Sequence, residues 1–339
     1  METRGRLVLI ACESGRVFAR RVADALEKIV QAGERSSFQG IADTTEVHFA
    51  NREVKTVLNE SVRGSDVYVI QCIDDPESDR SVNDNLMAVL TALGAAQQAD
   101  ADCITAILPQ FPYARQERKK AREGITARQV ARFIEISGAD RVLTIDLHAQ
   151  AVGGFFERVP LDNLHASKPM LEYFSKVHDL KNIIVVSPDV GSADRARFLS
   201  RRLKCDMAIC DKERDYSKPG VVRTTRLVGD VRGRDVLMMD DMIATGGSII
   251  EAAMTCRRSG AKDIYLGCTF PFFNGNAVER LDEAYRQGLF KMLLGTDAVY
   301  RRPEFARAHP WYREVSVAPL FAQVIHNINY RTSVSRLLQ

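Results

Sequence analysis

The stretch MMDDMIATGGS, residues 238–248, brings together two kinds of group that suit a ligand with two ends. An apolar run ends in the adjacent carboxylates of Asp240 and Asp241; Ala244, Thr245, Gly246, Gly247 and Ser248 follow. A glycine pair ahead of a helix lets backbone N–H groups approach an anion closely, and the helix dipole favours negative charge there. The next residues, SIIEAAMTCRRSG, are apolar-periodic up to Gly260 and read as that helix, with Ser248 and Glu251 as a capping box. The two acids can accept hydrogen bonds from ribose 2- and 3-hydroxyls or from the waters of a metal ion. A phosphate at one end and a diol at the other describe a sugar phosphate.

Such a pair of subsites needs an open α/β frame, in which ligands bind beyond the carboxyl ends of strands. Short apolar runs with β-branched residues recur at 7–12, 66–72, 103–109, 141–147, 182–188, 235–241 and 263–269. Helical patterns at 83–98 and 126–138 alternate with them, which predicts mainly parallel sheets flanked by helices. SVRGSDVYVIQCIDD (61–75) is echoed by DVRGRDVLMMDDMIA (230–244), and 103–114 corresponds in spacing to 264–275. The echo predicts two similar domains, 1–165 and 166–310, with 311–339 a strand and helix packing back on the first.

Bulk composition narrows the class. Hydrophobic residues make up 45% and charged residues 27% of 339 residues, an ordinary globular balance. The net charge of +3 argues against a nonspecific nucleic-acid coat, and no apolar run reaches the ~18–20 residues that span a bilayer. The apolar run near the start reads as a first buried strand. The seven cysteines contain no CxxC pair, which points to reduced thiols in a cytoplasmic protein without a zinc site or disulfide frame. The basic runs 115–122 and 195–204 read by themselves as solvated helix faces.

VLMMDDMIATGGS resembles the phosphoribosyl-diphosphate motif of the type I phosphoribosyltransferase fold. Residues 107–156, together with NESVRGSDVYVIQ (59–71), VVSPDVGSADRARFL (185–199) and FNGNAVERL (273–281), are similar to the signature regions of the ribose-phosphate pyrophosphokinase family, in that family's order. The resemblance implies two tandem phosphoribosyltransferase-like domains, with the ATP side in the first and the ribose 5-phosphate side in the second. It implies transfer of the β,γ-pyrophosphate of ATP to the 1-hydroxyl of ribose 5-phosphate, with Mg²⁺ as cofactor. It also implies a homo-oligomer of dimers assembling to hexamers.

By the same resemblance Arg115 and Gln116, with Phe49, Asn51 and Glu53, hold ATP, Phe49 stacking on the base. His148 and Asp189 are the metal ligands, with Asp146 orienting the His148 ring. Lys212 and Arg214, in a polar loop spanning 210–230, close over the transferring phosphates. Asp240, Asp241 and Ala244–Ser248 bind ribose 5-phosphate. The chain departs from the family at Asn51, where an Asp is usual, at Glu213, between Lys212 and Arg214, and at Ala244, where an acid is common. His165, His178, His309 and His326 receive no role. The readings that compete are a noncatalytic regulatory relative, a phosphoribosyltransferase that consumes the diphosphate, and a nucleic-acid-binding regulator. The ATP-side motifs oppose the second, and no helix-turn-helix extension supports the third.

Overall fold

The structure, a computed structural model, describes residues 3–31, 37–214 and 222–337, without side chains at 212–214 and 222–225. In chain order the strands are β1 Arg6–Ala11, β2 Phe38–Ile41, β3 Thr44–His48, β4 Val54–Leu58, β5 Ser65–Ile70, β6 Cys103–Ile107, β7 Arg141–Ile145 and β8 Leu161–Leu164. They continue as β9 Ile183–Ser187, β10 Met207–Arg214, β11 Val222–Val228, β12 Asp235–Met242, β13 Ile264–Phe270, β14 Met292–Thr296 and β15 Tyr312–Val315. The helices are α1 Arg16–Gln31, α2 Val82–Gln98, α3 Thr126–Ile136, α4 Ser167–Val177, α5 Ala193–Leu203, α6 Gly247–Arg258, α7 Ala277–Arg286, α8 Pro303–Ala308 and α9 Ala318–Asn329.

Two compact units form. One holds the chain up to Ala166, Asp297–Tyr300 and the residues from Ser316 on; the other holds Ser167–Thr296 and Arg301–Val315. The second unit extends past residue 310 because β15 pairs in parallel with β14. The first unit has a parallel sheet in the order β2–β1–β5–β6–β7–β8 and a separate antiparallel β3–β4 hairpin. The second has the order β11–β10–β9–β12–β13–β14–β15, parallel except for the β10–β11 edge pair.

The internal echo is a topological repeat. β1–β5–β6–β7–β8 and β9–β12–β13–β14–β15 follow one plan, and β5 and β12 take the same place in it. Both are entered through the same turn. Ser65 N–H donates to Val62 O at 3.1 Å with Gly64 at φ +65°, and Arg234 N–H donates to Val231 O at 3.0 Å with Gly233 at φ +70°. The Val-Arg-Gly sequence supplies the residue that such a turn needs in the left-handed region. Each unit buries its own core. All six residues of β5 are buried, as are the first five of β12, and flanking helices cover them. Helix α3 shows the logic, burying Ala127, Val130, Ala131 and Ile134 at the i, i+3, i+4, i+7 spacing of one helical face. The seven runs read as strands all form strands, and both helical patterns form helices.

Candidate active site

In the second unit β9 and β12 lie side by side, and the chain beyond their carboxyl ends folds back to one cluster. After β9, the Ser187 hydroxyl donates to the Asp189 carbonyl at 2.6 Å. Asp189 Oδ1 then accepts the Ser192 N–H at 3.0 Å, closing a turn ahead of α5. That turn aims the Ser192 hydroxyl at Asp240 Oδ1, 2.9 Å away. The same Asp240 oxygen accepts the Asp241 N–H at 2.9 Å, and Asp241 Oδ1 accepts the Met242 N–H at 2.8 Å.

Asp241 is buried and Asp240 nearly so. Burial, reinforced by the charge of Asp241 and, more weakly, of Asp189, pushes the Asp240 carboxyl up to about 6, although the Ser192 hydrogen bond and the Arg195 charge pull it down. Three carboxyl groups thus crowd the ends of two neighbouring strands. Crowding of this kind suits hydroxyl donors or a dication, either of which favours the ionised form.

The phosphate loop follows. Gly246 adopts φ +72°, a left-handed conformation that glycine takes at low cost, and caps α6, which starts at Gly247. Ser248 is therefore inside the first turn, and the capping box expected from Ser248 and Glu251 does not form at the cap. A left-handed glycine starts the helix two residues earlier than the Ser-x-x-Glu pattern suggests. The first-turn N–H groups at Gly247 and Ser248 have no acceptor within the helix, which is what an anion site requires.

The loop is anchored from 270–280. Ile243 N–H donates to Phe270 O, Phe273 N–H to Ile243 O (both 3.0 Å) and Asn274 N–H to Ala244 O (2.7 Å). Arg280, on α7, donates from Nη1 to Thr245 O at 3.2 Å. Its guanidinium lies against Gly247, where a Cβ would come within 3.3 Å of Nη2.

The first unit holds the residues assigned to ATP. The β3–β4 hairpin closes through 49–53, where Phe49 N–H donates to Glu53 O (2.9 Å), Arg52 N–H donates to Phe49 O (2.8 Å) and Arg52 takes φ +70°. Asn51 Oδ1 accepts the Glu53 N–H at 3.2 Å, so the amide does the loop-closing that an Asp would do. Phe49 is 44% exposed, with Lys55 Nζ 5.7 Å from its ring centroid. Arg115 and Gln116 are exposed in the loop after β6, where Gln116 N–H donates to Tyr113 O at 2.8 Å and Glu117 pairs with Arg118. His148 is exposed just past β7. Asp146, in a left-handed backbone conformation, engages His165 Nδ1 at 3.1 Å and accepts the Ala166 N–H at 3.3 Å, which fixes its carboxylate just past β7, two residues before His148.

The backbones of Lys212 and Arg214 lie on β10, opposite Thr225 and Val222 of the edge strand β11, where a loop spanning 210–230 was expected. Their side chains, and Pro219-Gly220, fall outside the described residues. Sequence reasoning passed over Ser192, Arg195, Asn274 and Arg280. They lie in two quoted segments, SPDVGSADR and FNGNAVER, but spacing does not say which side chain of a turn reaches a neighbouring strand end.

Comparison with known proteins places this geometry in a family. The profile described as "N-terminal domain of ribose phosphate pyrophosphokinase" matches residues 7–138, and that of the "Phosphoribosyl transferase domain" matches residues 162–297. Ribose-phosphate pyrophosphokinase 2 of Enterococcus faecalis is 38% identical over 337 residues, which cover 98% of this chain and 96% of that protein. The ribose-phosphate pyrophosphokinase of Clostridium acetobutylicum is 38% identical over 301 residues, 88% of this chain and 90% of its own. The crystal structure of phosphoribosylpyrophosphate synthetase from Mycobacterium smegmatis superposes with a TM-score of 0.83 at 32% identity, covering 96% of this chain and 99% of that one. The chain belongs to the ribose-phosphate pyrophosphokinase family.

Proposed function

We infer that the chain is a ribose-phosphate diphosphokinase, which makes 5-phosphoribosyl 1-diphosphate and AMP from ATP and ribose 5-phosphate. The observation that carries this reading is the left-handed Gly246 cap, which opens the start of α6 to a phosphate one turn beyond the Asp240–Asp241 pair. In the reaction the 1-hydroxyl oxygen attacks the β-phosphorus of ATP and loses its proton. The bond from that phosphorus to the α,β-bridging oxygen breaks, and AMP leaves with the electron pair. Such transfers rest on positioning and on offsetting charge more than on covalent help.

Thr245–Ser248 hold the 5-phosphate through first-turn N–H groups, while Asp240 and Asp241 accept the ribose hydroxyls. Arg280 fixes the Thr245 carbonyl and adds positive charge beside the loop. Phe49 offers an exposed ring to the base, and Asn51, Glu53, Arg115 and Gln116 supply polar contacts to ATP. Lys212 and Arg214, on the β10–β11 edge pair, neutralise charge on the transferring group. The donor set suits Mg²⁺: Asp189, Asp240 and Asp241 bring three carboxyl groups together at the ends of β9 and β12, and burial, then the Asp241 charge, raises the Asp240 carboxyl. His148 would hold the Mg²⁺ that accompanies ATP, and Asp189 would hold a second Mg²⁺ or contact the ribose; such an ion lowers the charge barrier between anionic substrates. The unbridged state of all seven cysteines agrees with a cytoplasmic place, and the family resemblance supports dimers assembling to a hexamer.

The purified chain should release AMP when given ATP, ribose 5-phosphate and Mg²⁺ together, and none when any one is left out. Lys212→Ala should lower that rate by at least about 100-fold while ribose 5-phosphate still binds. Failure to form AMP at any Mg²⁺ concentration would favour the noncatalytic reading.

A further inference from the structure

Away from the residues assigned to substrates, three side chains of the first unit converge where the carboxyl end of β1 meets the end of β3. Glu13 stands in a short 3₁₀ turn, Glu13–Gly15, after β1; Glu46 and His48 alternate on one face of β3. His48 Nε2 lies 3.0 Å from Glu13 Oε2 and 3.1 Å from Glu46 Oε1. Each side chain offers one ligand atom, and all three atoms lie within 4.8 Å of one another.

Three observations separate this cluster from ordinary surface acids. The first is a proton count: His48 Nε2 faces two carboxylates but carries at most one proton, so one carboxylate stays without a donor from it. Arg80, the further cation there, is 3.9 Å from Glu13 Oε2, beyond hydrogen-bond reach. The second is the hold on Glu46. Its side chain is only 6% exposed, and its other oxygen, Oε2, accepts the Glu13 N–H at 2.9 Å, so Oε1 is fixed toward the imidazole. The third is scale. A tetrahedral site with bonds of ~2.1 Å has ligand–ligand edges of ~3.4 Å, so edges of 3.0 and 3.1 Å need to open by only a few tenths of an ångström.

We propose that Glu13, Glu46 and His48 form a binding site for a divalent cation of the zinc class. One imidazole nitrogen and two carboxylate oxygens match a borderline transition-metal ion better than Mg²⁺, which prefers an all-oxygen octahedron. The fourth ligand is water, reached past Glu13, whose side chain is 50% exposed. Cys12 does not supply it: its side chain is buried, and the ligand atoms that lie within 4.8 Å of one another are those of Glu13, Glu46 and His48. The ion would tie the end of β3 to the end of β1. Phe49 follows His48 directly, so the tie sits at the base of the loop assigned to adenine.

Zinc binding to the chelator-stripped full-length chain, measured by equilibrium dialysis in excess Mg²⁺, tests the site. The wild type should hold one Zn²⁺ at the cluster. His48→Ala and Glu46→Gln should weaken that binding by at least about 100-fold, whereas His148→Ala should leave it unchanged. Co²⁺ in place of Zn²⁺ should give the intense visible bands of tetrahedral coordination, absent in His48→Ala. Glu13→Gln, at a half-exposed side chain, gives the same comparison should the β3 variants not fold. A wild type that binds no zinc, or binding that survives in His48→Ala or Glu13→Gln, overturns the proposal and leaves a histidine side chain held between two carboxylates. The readout needs no turnover, so it fails or succeeds independently of the diphosphokinase reading.

Discussion

Asp240 is the residue whose ionisation most clearly reports its surroundings. An unfolded aspartate titrates near 3.9, and in the folded chain Asp240 is pushed up to about 6 by burial and by Asp241. Between those values the folded state keeps a proton that the unfolded state has lost, so stability falls as pH rises through the window. Asp240→Asn removes the effect while keeping an oxygen for the Ser192 hydroxyl. The variant should exceed the wild type by about 1–3 kcal/mol near pH 8 and by little near pH 4, measured by urea unfolding at both. A difference of the same size at both pH values would mean that Asp240 ionises freely. His165 and Ser192 show what single residues concealed. Their partners, Asp146 and Asp240, lie 19 and 48 positions away in the chain.

At the scale of elements, the second unit builds its site from a strand end, a glycine cap and a helix start. Gly246→Ala places a Cβ at φ +72°, at a cost of roughly 1–2 kcal/mol, and should raise the KM for ribose 5-phosphate by about 10-fold or more with a smaller change in kcat. Steady-state kinetics would show whether binding or turnover takes the loss. Gly247→Ala differs, because its Cβ would meet the far end of Arg280 at 3.3 Å, and a side chain can give way. The penalty of Gly247→Ala should therefore shrink in an Arg280→Ala background, whereas additive effects would place Arg280 away from the loop in solution.

Buried strands were the legible elements: β5, β6, β7, β9, β12 and β13 are apolar enough to show in one pass. The β3–β4 hairpin was not, because TTEVH and VKTVL are half polar and only partly buried. The β10–β11 pair hid for a similar reason, as polar edge strands read as loop. The capping box failed because side-chain pattern competes with backbone conformation, and a left-handed glycine decided the helix start.

At the scale of the whole molecule, chain order and spatial order part company at the C-terminal end. Helix α9 belongs to the first unit although the second unit's sequence comes between them. It buries Phe321, Val324, Ile325 and Ile328, with Phe321 edge-on to Phe18 of α1 at 5.2 Å between centroids. Asn329 Nδ2 donates at 2.9 Å to Asp66 Oδ2, which also accepts from the Tyr68 hydroxyl at 2.8 Å. Burial raises the Asp66 carboxyl, and the Asn329 hydrogen bond is the largest effect opposing that rise.

Each large apolar side chain withdrawn from water is worth about 1.5–3 kcal/mol, so four of them approach the ~5–15 kcal/mol that holds a domain folded. A chain ending at Val315 should therefore lose amide protection in β1, β5 and α1. The second unit has its own core and should keep protection in β12 and β13. Phe321→Ala, a milder probe of the same contact, should cost about 3–5 kcal/mol in the first unit alone. Hydrogen exchange followed peptide by peptide separates the outcomes. Native protection of α1 in the shortened chain would show that α9 only covers a core that stands without it, and uniform loss in both units would show that they fold as one.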